Sequence, residues 1–252
     1  MSVTKYLELA AVSVQQPTTG RSLLARLNCQ FCAGEFIVVT SVPETTAALL
    51  LRLINRLELP SQGHISWAKQ PIQHSQAHLW RRQAVLVAAQ PNLLGLSARE
   101  AIAYPLNLQQ LPSTELQQRL TTWAKAFNLN ETHLDSMAAT LTVNWQQHVA
   151  IARACAMQPQ LLLLDSPLAV LETDAEQQHV LEILQAQTFK RRLLIVVATQ
   201  TPWLFRRHAT RLIQFEQGQR IKDEAIERVD WQALQENLQQ RNAAIASDWD
   251  LD

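Results

Sequence analysis

The sequence predicts an α/β fold with a mainly parallel sheet, an N-terminal antiparallel β part and an inserted helical subdomain. Three observations carry this. LLLLD at 161–165 and LLIVVAT at 193–199 are continuous apolar runs, as in parallel strands covered on both faces. Between them EQQHVLEILQAQ has the composition and length of a crossover helix. YLELAAVSV (6–14) and LLARLNCQF (23–31) alternate in part instead, and the turn-like QQPTTG joins them.

The remaining elements follow in order. GEFIVVT gives a short buried strand over 36–40, TSVPETT a turn, and AALLLRLINRLEL a helix whose leucines recur at helical spacing until PSQG ends it. Strand, turn, helix is the layout of a phosphate-binding loop. From about 86 to 155 the pattern is helical: LSAREAIAYPL, a segment near 113–127, and NWQQHVAIARACAM near 144–157. RLIQFEQGQRI reads as a closing hairpin. The expected organisation is one domain over 1–225, with the helical subdomain at 86–155, and then a polar helix and tail over 226–252 that ends in the acidic SDWDLD.

Composition narrows the function. Lys plus Arg equals Asp plus Glu at 22 each, so no net field draws the chain to nucleic acid. No stretch approaches the roughly 18 apolar residues of a spanning helix, and the start lacks a basic and apolar leader, so a cytoplasmic chain is expected. Three cysteines give no disulfide framework, and Cys29 and Cys32 form a single C-x-x-C with no second pair, so no metal site is expected. Five glycines in 252 residues is about 2%, against roughly 7% in ordinary proteins. Loops that cradle phosphate need glycine for positive φ and close backbone approach.

Over residues 6 to about 222 the order of elements resembles the ATP-binding cassette (ABC) transporter ATPases, a P-loop NTPase family. GEFIVVTSVPETTAALLLRLINRLELPSQGHISW, AAQPNLLGLSAREAIAYPL, LTVNWQQHVAIARACAMQPQLLLLDSPLAVLE and LLIVVATQTP carry the resemblance. It implies a phosphate loop of glycines, a lysine and a hydroxyl residue, which fall here on Ser41, Glu44, Thr46, Ala47 and Ala48. Neither alanine can reach a phosphate or hold Mg²⁺, and Pro43 removes an N–H. Ser41 and Glu44 fit S-x-x-E, a capping box that fills the helix start from within. Asp165 is retained where the resemblance places an aspartate that orders Mg²⁺. It could bind a cation weakly or serve only as a capping and turn residue. Ser166 stands for the glutamate that polarises the attacking water, which a hydroxyl of high pKa cannot replace.

The signature segment reads Thr142, Val143, Asn144, Trp145, with Asn144 and Gln147 spaced as a cap pair. The indole of Trp145 would crowd an approaching γ-phosphate. The switch histidine falls on Gln200, the adenine-stacking aromatic near Val14, and His148 replaces an arginine and is expected on the surface. Gln90 is retained in the loop that the resemblance links to a permease. Leu93, Leu94, Tyr104 and Pro105 fall where the family receives the permease's coupling helix. The expectation is a degenerate, non-hydrolysing ABC subunit without ATP or Mg²⁺. It would dock on an integral-membrane permease at the cytoplasmic face of the inner (plasma) membrane, as a homodimer or with another ABC ATPase subunit. The alternative is a working ATPase that uses displaced residues, for which Arg52 is the nearby cation and ATP with Mg²⁺ the cofactors.

Overall fold

The computed structural model describes residues 6–16 and 18–249, and for 242–249 the backbone alone. Strands β1 (Tyr6–Gln15), β2 (Ser22–Cys32) and β3 (Phe36–Val42) lead into helix α1 (Thr45–Ile54). Strands β4 (Gln62–Trp67) and β5 (Gln70–Pro71), helix α2 (Ala77–Gln83) and strand β6 (Ala84–Val87) follow. The helical region comprises α3 (Ala98–Leu108), α4 (Ser113–Ala126), α5 (Glu131–Asp135) and α6 (Val143–Ala156). The chain then returns to the sheet through β7 (Leu161–Asp165), α7 (Asp174–Arg191) and β8 (Leu194–Ala198). It closes with β9 (Arg211–Glu216), β10 (Gln219–Ala225) and α8 (Trp231–Trp249).

Six strands in the order β10-β9-β3-β8-β7-β6 form the main sheet, parallel except for the antiparallel edge β10. A four-stranded antiparallel sheet, β2-β1-β4-β5, packs beside it. The apolar runs divide strictly between two cores. Phe36, Val38, Leu162, Leu164, Ile195 and Val197 face the helical region, and Ile37, Val39, Leu161, Leu163, Leu194 and Val196 face α1 and the antiparallel sheet. That division is why these strands show no alternation.

Several boundaries differ from the sequence expectation. Helix α1 stops at Ile54 rather than running to residue 59. Asn55 ends it, its side-chain amide donating to the Ala84 carbonyl at 2.7 Å, and Arg56 adopts a left-handed φ of 61°. Leu57 and Leu59 consequently stand half-exposed. Strands β4, β5 and β6 were not expected, and β6 places the start of the helical region at α3 instead of residue 86. The two glycines flanking the small sheet have steric work: a Cβ on Gly63 would lie 2.4 Å from the Ala10 carbonyl oxygen, and one on Gly218 2.7 Å from that of Leu23. Leu234 and Leu238 of α8 are buried in the same core as the helical region. Among the described residues no helix is long and apolar enough to cross a membrane.

Candidate functional site

Strand β3 ends beside β9, with Ser41 paired to Phe215 and Val42 to Glu216. Two residues later α1 begins, with Glu44 at its N-cap position and no side chain capping it. The expected capping box is absent. The Glu44 side chain is exposed, and Ser41 acts alone: its Oγ accepts from the Ala47 N–H at 2.9 Å and lies within hydrogen-bond reach of the Pro43 (2.8 Å) and Glu44 (3.1 Å) carbonyls. Ser41 is still in the strand, so the serine and the glutamate do not straddle the first helical turn as a box requires. The N–H of Thr46 points to the Pro43 carbonyl at 3.3 Å, and that of Ala47 also to Glu44 at 3.2 Å. Ser41, Thr46 and Ala47 are buried, Ala47 to 1% exposure, and Ala48 is partly covered. The turn is thus closed around a hydroxyl, and the side chains of 41–48 include no cation to meet a phosphate.

The strand ends beside this turn complete the candidate site. Asp165 closes β7 opposite Ala198 of β8, and burial pushes its carboxyl up, partly offset by the Ser166 hydroxyl at 3.4 Å. Ser166 takes a φ of 45°, and its N–H donates to the Ala198 carbonyl at 2.8 Å. Gln200 donates through Nε2 to the Ser41 carbonyl at 3.0 Å, tying the switch position to the turn. The structure gathers Ser41, Asp165, Ser166 and Gln200 along the carboxyl edge of the sheet. Among the described residues no group of three or more His, Cys, Asp or Glu is placed to hold a metal ion. Arg52, the cation proposed as a displaced substitute, lies in the last turn of α1, where it pairs with Glu58 at 2.7 Å.

The signature segment departs further from expectation. Thr142, not Asn144, is the N-cap of α6, and it makes no side-chain cap. Val143 is 61% exposed. Asn144 lies inside the helix, buried, with Nδ2 donating to Glu176 of α7 at 2.9 Å. Trp145 turns inward against the core of the helical region and stacks on His133 with ring centroids 3.9 Å apart.

His148 is buried, not on the surface, and packs 5.1 Å from Trp145 and 6.1 Å from Phe127 by ring centroids. Desolvation pushes its pKa down to about 4, opposed by Glu176 and assisted by His179 and His133. Both ring nitrogens, both polar atoms of the fully buried Gln147 side chain and Oδ1 of Asn144 find no hydrogen-bond partner among the described residues. Sequence reading missed this cluster. Its signal was the i, i+3, i+4 spacing of 144, 147 and 148, which places all three on one face.

Gln90 is exposed on the loop after β6. Of the four expected docking residues, Leu94 and Tyr104 stand 52% and 44% exposed, Pro105 is partly covered within α3, and Leu93 is a core residue at 3%. Val14 is buried in β1.

Comparison with known proteins bears on this arrangement. Residues 47–169 match the family model described as ABC transporter. Methionine import ATP-binding protein MetN 1 of Salmonella typhimurium is 28% identical over 221 residues, covering 85% of this chain and 63% of the relative. The sn-glycerol-3-phosphate import ATP-binding protein UgpC of Paracoccus denitrificans is 28% identical over 172 residues, 68% of this chain and 48% of that one. The chain thus spans less than two thirds of the length of these curated relatives. Among solved structures, a dimeric bacterial ABC transporter cassette superposes with a TM-score of 0.80 at 23% identity, covering 87% of this chain and 98% of that one. The cbiO1 protein of Clostridium perfringens, part of the cbiONQ transporter complex, gives 0.78 at 19%, covering 88% of each chain. These two likenesses establish the fold. The matched segment and the relatives are thus similar to ABC transporter ATP-binding proteins, and the superpositions show the cassette fold.

Proposed function

We propose that this chain is an ABC-type ATP-binding subunit whose own nucleotide turn has been closed, and that it acts as a docking or regulatory partner of a membrane permease. The observation that carries the reading is Ala47. It stands at the phosphate-lysine position, 1% exposed, with its N–H held by Ser41 Oγ. A helix N-terminus attracts phosphate through free N–H groups and its dipole. Here the Thr46 and Ala47 N–H groups are engaged within the turn and no lysine supplements them. Asp165 is retained, but its neighbour is a hydroxyl that cannot serve as general base near neutral pH. A triphosphate with Mg²⁺ does not fit this donor set, so no hydrolytic step is derived. The relatives are named as import ATP-binding proteins, which supports a place beside a permease on the cytoplasmic face of a membrane.

The test is a thermal transition with millimolar Mg-ATP. A ligand at 100 times its Kd stabilises by about 2.7 kcal/mol, so a working site would raise Tm clearly. No resolvable rise is expected, and a magnesium-dependent rise would overturn the reading. Docking is tested at the exposed pair alone. Leu94→Asp and Tyr104→Asp, each with an unchanged melting transition, are expected to release the protein from permease-containing membranes, whereas Ala48→Ser is not.

A further inference from the structure

A groove of about 620 Å³ lies between the start of α7, the turn Pro202–Phe205 and the start of α8. Its walls are the indoles of Trp203 and Trp231, both half-buried, and the buried Leu181 contributes to its lining. Arg206 and Arg207 stand exposed at the groove, and among the described residues neither pairs with a carboxylate. Asp174 is the one acidic group in the lining, and glutamine amides from α7 and α8 make up much of the rest. We propose that this groove is a second docking site, and that it takes an acidic peptide segment of a partner protein carrying an aromatic or aliphatic anchor.

Each part of that chemistry answers to a group on the walls. Tryptophan and arginine are the residues on which interface energy concentrates, because an indole offers a large rigid apolar face and a guanidinium a fork matched to carboxylates. Two unpaired guanidiniums against one carboxylate set the sign of the ligand. Amides that both donate and accept suit a peptide backbone, which alternates the two. Asp174 fixes direction, since an acidic segment must keep its carboxylates at the Arg206 and Arg207 end. The groove also adjoins the switch position. Trp203 is three residues beyond Gln200, whose amide holds the Ser41 carbonyl, so an occupant would bear on the segment that anchors the closed turn. None of this depends on the permease or on nucleotide.

The test uses the full chain and a fluorescein-labelled, acetylated octapeptide alternating aspartate with tryptophan and leucine, followed by anisotropy. The control peptide carries lysine for every aspartate. The acidic probe is expected to bind at least tenfold more tightly than the control and to weaken as salt rises. The pair Arg206→Glu with Arg207→Glu is expected to lose at least tenfold while keeping its melting transition, because both side chains are exposed. Equal binding of the two peptides, or no effect of charge reversal, overturns the proposal. So does displacement by free citrate as complete as by unlabelled peptide, which would make the site one for small anions. Self-association of the chain that charge reversal abolishes, without peptide binding, would mark the groove as an interface between copies and overturn it as well.

Discussion

Helices α1 and α6 both start where the resemblance places a nucleotide contact, and they are built in opposite ways. At α1 a single buried hydroxyl closes the turn and every nearby side chain is small, apolar or pointed at solvent. At α6 the first turns bury Asn144, Gln147 and His148, several of whose polar atoms find no partner among the described residues. At the first, Ser41 is engaged within the turn; at the second, each buried polar atom left unpaired would cost about 1–3 kcal/mol. The two helix starts are therefore not packed alike.

The comparison breaks most visibly with pH. In the unfolded chain His148 titrates near 6.5, and in the folded protein near 4, so folding favours its neutral form. A group depressed in this way contributes fully above pH 6.5, and the contribution is lost as pH falls from 6.5 through 4. The shift is equivalent to ~3 kcal/mol. Urea midpoints measured from pH 7.5 to 4 should fall steeply, and His148→Phe should remove that share of the slope. Glu176 and His179 of α7 and His133 of α5 face the ring and are the same in both proteins. Parallel curves for the two would show that the α6 start is not the acid-sensitive region.

The next effect is smaller and of opposite sign. Gln147→Met keeps side-chain length and removes two polar atoms that find no partner among the described residues, so a gain of about 1–2 kcal/mol in denaturant stability is expected. A loss would mean that bound water completes the glutamine's bonds and that both helix starts are satisfied, one from within and one by solvent.

Sequence reading recovered the two regions unequally, for physical reasons. Strands β7 and β8 were legible because covering on both faces makes four consecutive residues apolar in the one and five in the other. β4 and β6 were not, because the exposed Gln62, Gly63 and His64 of the one and the partial cover of AVLV in the other erase the contrast. The face of α6 was illegible for another reason. Ten of its 14 residues are buried, so periodicity no longer separates inside from outside and polar residues read as solvent-facing. The resemblance, by contrast, singled out Ser41, Asp165, Ser166 and Gln200 one by one, and the fold sets them along one sheet edge.

Two S/T-x-x-E segments that were not singled out show what a true capping box needs. Ser97 with Glu100 and Thr173 with Glu176 each make both reciprocal bonds, at the starts of α3 and α7. In both, the hydroxyl residue immediately precedes the helix. Ser41 lies four residues ahead of Thr45, so the pattern at 41–44 matched in letters and not in register.

Ser41→Ala and Glu44→Ala turn that difference into a measurement, and they carry the two smallest effects. Ser41→Ala deprives the Ala47 N–H of its 2.9 Å acceptor in a buried turn. It should cost about 1 kcal/mol, the usual loss when a capping hydroxyl is removed. Glu44 makes no cap bond, and its side chain is exposed. Its carboxylate near the helix N-terminus can contribute only a dipole term, typically ~0.3–1 kcal/mol at low ionic strength. That term is screened by salt, so at 0.5 M NaCl Glu44→Ala should fall within about 0.3 kcal/mol of the parent while the Ser41→Ala loss persists. A salt-resistant loss near 1 kcal/mol at Glu44 would mean that its carboxylate enters the turn in solution. The α1 start would then be closed by two side chains, as a reciprocal box.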